Sequence, residues 1–239
     1  MFGKNRDRVD EKGEMPWKSA EEIFKGGNFF GPKQWAEIFG MDVPIPPKFP
    51  WDKKILKDKC PFNEGKKIKD THFAFLGPGF DAGLNMVGWK KFYLEKTKDN
   101  PRRIAFLNGL DEWHRKEEFV WTTCIPKWYL VLIENAPESK GQSYQEQKNI
   151  LQRDYPKYQM PLAVEAVTKN ILFFELLLWK QKLNIWEWDR KTTYCRDVYS
   201  DGRHVIVNCH CHVNIEKIGI DLGEFWQESN IGLTPSRMF

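Results

Sequence analysis

The sequence predicts an α+β fold in which helices pack beside a twisted antiparallel sheet, with a helical extension at the N-terminus. Three observations lead to this prediction. Two apolar runs with β-type composition lie at 72–76 and 128–133, and each is followed by glycine, asparagine or proline. A long helix that begins at Pro161 is apolar on most of its circumference. The stretch 203–216 alternates apolar and polar residues, which indicates extended backbone.

Composition narrows the class of protein. The 239 residues include 37 Lys plus Arg and 33 Asp plus Glu, for a net charge of +4. This balance does not indicate a dedicated nucleic-acid surface. No apolar run approaches the roughly 20 residues of a membrane-spanning helix, and the charged N-terminus lacks the apolar core of a signal peptide. We expect a soluble protein with no nucleic-acid partner and no membrane span, whose oligomeric state and location, including a virion or a cell surface, stay open.

The N-terminal part is predicted to form an extension. Residues 1–14 are rich in charge and predict a mobile tail. Residues 15–69 are predicted to be helical and proline-rich: a capping box at 19–22 indicates one short helix, and Pro32 with Gly40 brackets a second. Four prolines within 43–50 exclude a central strand or helix there, so this segment is predicted to be a surface connector.

Residues 70–239 are predicted to form the main domain. Its first strand begins at His72, and its second is the run 128–133. A capping box at 143–146 predicts a helix that ends near Leu151. Because the helix that begins at Pro161 is apolar nearly all round, we expect it at the centre of the core.

The alternating stretch predicts a two-faced ribbon. Odd positions from 205 to 215 are Val, Cys or Ile, whereas the even positions are His, Asn or Glu, apart from Ile206. An extended strand would bury the odd face and present the even face to solvent. Apolar residues move to even positions from Ile218 to Leu222, which predicts a hairpin near 216–217 or at Gly219.

A metal site in this ribbon is not predicted. Cys209, His210, Cys211 and His212 are all potential zinc ligands. However, alternation places the two thiols on one face and the two imidazoles on the other, so the four cannot hold one ion. We expect no metal and no other cofactor, with the thiols as small core groups.

The order of these elements resembles a known family. The segments 72–77, 128–134 and 231–237, with the two helices from Ser143 and Pro161 between the last two, resemble the C-type lectin fold in its formylglycine-generating-enzyme version over residues 70–239. The tail from Cys195 onward is similar to the variable proteins of diversity-generating retroelements. In that family, which is viral or prokaryotic, a reverse transcriptase rewrites codons at adenines on a rigid lectin scaffold.

The resemblance implies a hypervariable region at about 200–235 and a receptor-type protein that binds a protein or cell-surface ligand, not an enzyme. Its variable surface would hold polar and aromatic side chains between apolar framework positions. The implied ligand-binding residues are Asn208, His210, His212, Asn214, Asp221, Trp226, Ser229 and Asn230.

One alternative is an enzyme, of the formylglycine-generating type or with a reactive thiol. No counterpart of the oxidase family's catalytic cysteine pair can be assigned, and no local signature supports a thiol nucleophile. The candidate thiol–imidazole pairs join Cys195 to His204 or His210, and Cys60 or Cys124 to His72 or His114.

A second alternative is a structural protein, such as a virion component, that assembles through tryptophans. Trp179, Trp186 and Trp188 follow one another at the exit from the long helix. Burial of these rings is the preferred interpretation.

Overall fold

The computed structural model describes residues 14–25, 27–43, 45–78, 83–97, 105–106, 114–180, 191–212, 217–223 and 231–238. Within them, helices and two five-stranded sheets occur together, so the predicted α+β class is confirmed. The prediction of one antiparallel sheet is wrong, because each sheet also contains parallel pairs. No helix in the described ranges has the length and apolar character needed to cross a bilayer.

The helices follow the chain in this order: α1 (Trp17–Phe24), α2 (Pro32–Phe39), α3 (Lys53–Lys57), α4 (Ile68–Thr71), α5 (Met86–Thr97), α6 (Glu118–Trp121), α7 (Tyr144–Asp154) and α8 (Ala163–Trp179). The strands are β1 (Phe29–Phe30), β2 (His72–Leu76), β3 (Ala105–Phe106), β4 (Trp128–Leu132), β5 (Tyr158–Gln159), β6 (Lys191–Val198), β7 (His204–His212), β8 (Lys217–Gly223), β9 (Ile231–Gly232) and β10 (Ser236–Arg237).

The helix ends show how local chemistry sets boundaries. α2 begins at Pro32 and ends at Gly40, whose φ of 65° is favourable for glycine, as predicted. α7 begins with Ser143 as its N-cap, also as predicted, and continues past Leu151 to residue 154. The capping box predicted at 19–22 is wrong, because α1 begins earlier, at Trp17, and Ser19 lies inside it.

The first sheet has the strand order β1-β2-β4-β10-β5. β2 and β4 pair antiparallel with His72 opposite Leu132 and Leu76 opposite Trp128, which confirms both predicted strands. Every residue of these two strands is buried, because aromatic side chains cover the sheet on both faces. Phe29 packs on Trp128, and Phe173 of α8 packs on Phe73.

The second sheet has the order β3-β8-β7-β6-β9, with β7 antiparallel to both neighbours. α8 packs against both sheets, and residues 163–176 are all buried. Its predicted central position is therefore confirmed, although it begins at Ala163 rather than Pro161. The predicted burial of the exit tryptophans is wrong for Trp179, which is 42% exposed. Trp186 and Trp188 lie outside the described residues.

The two sheets are joined by residues 231–238, which we call the closing segment. Its β9 pairs with β6 in the second sheet, and its β10 pairs with β4 and β5 in the first. Between these strands, Leu132 N–H donates to Pro235 and Ala136 N–H donates to Leu233. Residues 231–236 are all buried, so the closing segment is part of the core.

The predicted extension packs into the same hydrophobic cluster as the main domain. Trp35 of α2 stacks on Trp89 of α5, and its indole N–H donates to the Leu76 carbonyl. The connector at 43–50 has no helix or strand in its described residues and touches the fold through a bridge between Phe49 and Met15. The predicted tail lies outside the described residues, except for Glu14. The boundary at 69/70 stays a prediction.

Candidate functional site

The β7–β8 ribbon, residues 204–212 and 217–223, contains those predicted binding residues that the structure describes. Its register places Asn208 opposite Asp221, and His212 opposite Lys217. The apolar positions match as well: Val207 lies opposite Leu222, and Cys209 opposite Ile220. The shift of phase in the sequence therefore marks a hairpin, as predicted, and places the polar positions of the two strands in shared rows.

The connection of this hairpin lies between residues 212 and 217. Of the two predicted positions, Gly219 is wrong, because it pairs with His210 inside the ladder.

One face of the ribbon is anchored to the core. Val205 and Val207 are fully buried, and Leu222 beside them is nearly so. All three belong to the main hydrophobic cluster, which includes most of α8. The odd positions 205 and 207 therefore form a buried framework at the start of β7, as the alternation predicts.

The opposite face is covered at the same end. Ile206 is 5% exposed, and its partner on β6, Tyr194, is also buried. Both pack in a second cluster with Ile231 and Leu233 of the closing segment. Thr192 of β6, which lies opposite Asn208 in the strand pairing, is also buried. The prediction of a solvent-facing even face is therefore wrong at this end of the ribbon.

The remaining predicted residues are placed as follows. Asn208, His210 and His212 lie on β7 and Asp221 lies on β8. Asn214, Trp226, Ser229 and Asn230 lie outside the described residues. Within the predicted variable region, residues 231–235 are buried. The orientation of His210 and His212 towards solvent stays a prediction.

An unpredicted contact lies where β7 begins. The imidazole of His204 stacks on the ring of Tyr144 from α7, with centroids 3.3 Å apart and planes 15° apart. Burial, and then the charge of Lys148, lower the pKa of His204, so this ring is uncharged at neutral pH. The pair joins α7 to the second sheet, and local sequence carries no signal for a contact between such distant segments.

Cys124 and Cys195 lack the activation that a nucleophile needs. Cys60, Cys124 and Cys195 are free and buried. Burial raises the pKa of Cys124 to about 12, and it raises the pKa of Cys195 well above its usual value. Because only a thiolate is an effective nucleophile, these environments do not favour the candidate pairs built on Cys124 and Cys195.

His72 is a core histidine. It is fully buried, with Nδ1 2.9 Å from the Thr71 hydroxyl and its ring against Tyr158. Its pKa is lowered to about 3, mainly by burial and in smaller part by the charge of Arg237, against an opposing contribution from a backbone hydrogen bond at Ile68. The imidazole is therefore neutral, and it packs against Tyr158 of β5 in the core rather than lining a solvent-filled site.

The long helix α8 carries buried charged residues whose contacts the apolar sequence pattern did not predict. The Glu165 carboxylate accepts the Leu162 N–H at its start, the Lys169 ammonium donates to the Ile133 carbonyl, and the Tyr93 hydroxyl donates to Glu175. Glu165, Lys169 and Glu175 are each at most 3% exposed as whole residues. The Lys169 contact joins α8 to the residue after β4 and the Glu175 contact joins it to α5, whereas the Glu165 contact caps the start of α8 itself.

No three potential metal ligands converge among the described residues. Comparison with family models, curated proteins and solved structures finds no match to this chain.

Proposed function

We propose that this chain is a ligand-binding protein of the receptor type, in which the free end of the β7–β8 ribbon displays side chains to a protein or cell-surface partner. The proposal takes the scaffold to be C-type-lectin-like and the chain to be a variable protein of a diversity-generating retroelement. Its recognition residues would centre on His210, His212 and Asp221, with Asn208 at the border of the covered region.

The observation that carries the proposal is the register of the hairpin. It aligns polar positions 208, 210 and 212 with 221, 219 and 217, while the intervening positions pair apolar residues. Residues in the polar rows can be substituted without changing the packing of the apolar rows, because neighbouring positions along a strand belong to opposite faces.

A stiff frame under the ribbon also supports the proposal. β7 is central in its sheet, its inner residues pack with α8, and the closing segment covers its outer face at one end. A preorganised frame lowers the ordering cost of binding, so affinity can change through the displayed residues without refolding.

The order of elements favours the lectin-type interpretation over an arbitrary α+β arrangement. The strand at 72–76, the strand at 128–132 and the closing strand at 236–237 lie together in one sheet. The helices from residues 144 and 163 come between the last two along the chain.

The genetic part of the proposal is tested by reading the DNA that flanks the coding region. We expect a near-copy of the codons for about 200–235 that differs mainly at adenines, next to a reverse-transcriptase gene. Flanking DNA with neither feature would contradict the retroelement assignment, while the binding proposal would still face its own test.

The binding part is tested by two libraries on display particles, with hen lysozyme as the probe protein. The first library randomises 208, 210, 212 and 221, and the second randomises the buried positions 205, 206, 207 and 222. We expect the first to keep protease resistance and to yield lysozyme binders, and the second to lose the fold in most members. Equal loss of protease resistance in both libraries would contradict a displayed surface.

A further inference from the structure

A cavity of about 520 Å³ lies between α7, β5 and β6, away from the polar rows of the ribbon. Its volume is within the usual range for sites that take small organic ligands. Its floor is apolar, since the lining residues Leu151, Met160 and Tyr158 are at most 5% exposed.

Flat aromatic groups form part of the wall. Tyr144 lines the cavity and is held by the stack with His204 on one of its faces. Tyr158 lines it as well and is fixed by Arg237, which donates to its hydroxyl at 3.1 Å and lies 5.3 Å from its ring centroid. Rings fixed in this way offer an apolar surface at low entropic cost.

The two charged side chains that line the cavity are both positive. Lys148 and Arg196 line it, and none of its described lining residues is acidic. The Lys148 side chain is exposed at the rim, 6.0 Å from the Tyr144 ring centroid. Two acids lie close to Arg196 outside the lining: Glu165, 3.8 Å from its guanidinium, and Asp197, whose carboxylate accepts the Ala163 N–H. The Lys148 charge has no such partner among the ion pairs of the described chain.

We propose that this cavity binds a small organic carboxylate with an aromatic or branched apolar body, whose carboxylate contacts Lys148 and Arg196 while its body fills the apolar floor. Bidentate pairing with a guanidinium would orient the carboxylate. The fixed aromatic walls would select a flat or branched body. The proposal is independent of the function proposed for the ribbon, because it uses no residue of the polar rows.

The probes are 4-phenylbutyrate, 4-phenylbutanol and 4-phenylbutylamine, which share one body and differ in the charge of the head group. Binding is followed by the NMR signals of 13C-labelled methionine methyl groups. Met160 and Met238 line the cavity, whereas Met15, Met41 and Met86 lie elsewhere and serve as internal controls.

We expect phenylbutyrate to shift the Met160 and Met238 signals with a dissociation constant of about 0.1–5 mM, as is usual for a ligand of this size. The alcohol should bind about tenfold more weakly, and the amine more weakly still. Equal shifts from all three probes, shifts at the control methionines alone, or no shift at about 5 mM would each overturn the proposal.

Two rim variants test the charge without touching the core. Lys148→Gln should weaken phenylbutyrate binding about three- to tenfold, and Gln152→Glu should do the same, because it places a negative charge on the rim. The matched controls are Lys140→Gln and Gln145→Glu, at exposed positions that do not line the cavity. Rim variants that fold normally and bind phenylbutyrate like the controls would overturn the proposed role of the charge.

Discussion

The β7–β8 ribbon and the closing segment come from the same predicted variable region, yet the fold uses them differently. In the ribbon, the framework residues Val205 and Val207 are buried beside a row of polar positions. In the closing segment, residues 231–236 are buried without any alternation. The segment also bonds to both sheets, whereas the ribbon belongs to one.

Alternation therefore predicts which residues share a face but not what covers that face. Ile206 belongs to the polar row by its position, and it is buried because Ile231 and Leu233 pack in the same cluster. Tolerance to substitution should therefore be confined to the free end of the ribbon.

A charged residue in the buried row of the ribbon, at Val207, should strongly destabilise the fold. Val207→Asp places a carboxylate in the core between two neighbouring strands, so we expect a loss of at least about 4 kcal/mol in the free energy of unfolding, or no folded protein. The matched control Val198→Asp lies in the same sheet at a site that is 48% exposed, and should cost less than about 1 kcal/mol. Urea unfolding followed by circular dichroism measures both, and similar losses would contradict the framework role of Val207.

The closing segment should depend on Gln147 of α7. The Gln147 side-chain nitrogen lies 3.0–3.2 Å from the carbonyl oxygens of Ser139, Gln142 and Ile231, and the residue is fully buried. Gln147→Ala removes these bonds and leaves a cavity, for an expected loss of about 2–4 kcal/mol.

The control for this change is Gln145→Ala, on the same helix at an exposed site. Its effect on urea unfolding should stay within about 0.5 kcal/mol. Equal effects of the two variants would show that Gln147 does not secure the closing segment.

Acid should weaken the burial of neutral His72 against Tyr158. The folded-state pKa of His72 is lowered to about 3 from 6.5, so the unfolded chain binds the proton more readily. The stability from neutral His72 is present above about pH 6.5 and is lost as pH falls towards 3. Between pH 7 and pH 5 the loss should be about 2 kcal/mol.

Urea unfolding at the two pH values measures this loss. His72→Phe removes the titrating group and should reduce the pH dependence by that amount, whatever other groups contribute. An unchanged pH dependence in the variant would contradict the burial of neutral His72 against Tyr158 and Arg237.

Local patterns predicted those parts of the fold that depend on neighbouring residues. The strands at His72 and Trp128, the glycine end of α2, the Ser143 cap and the phase shift in the ribbon all follow from the chemistry of a few adjacent positions. The first residue of α1 was not predicted, because Pro16 rather than Ser19 precedes the helix.

Features that depend on distant segments were not predictable in this way. The two-residue strand β1 joins the first sheet in parallel, and the closing segment fits between β4 and β5. Gly232 illustrates the constraint: a Cβ at this position would overlap the side chain of Asn135. The Tyr144–His204 stack and the cavity beside it likewise arise from elements that meet only in the folded chain.

We propose that His210 and His212 are displayed to solvent rather than packed in the core. The most direct measurement is the free energy of unfolding of the double variant His210→Ala/His212→Ala, beside the framework variant Val205→Ala/Val207→Ala. We predict a change within about 1 kcal/mol for the first and a loss of about 4 kcal/mol or more for the second. A loss of more than about 3 kcal/mol in the histidine variant would contradict the claim.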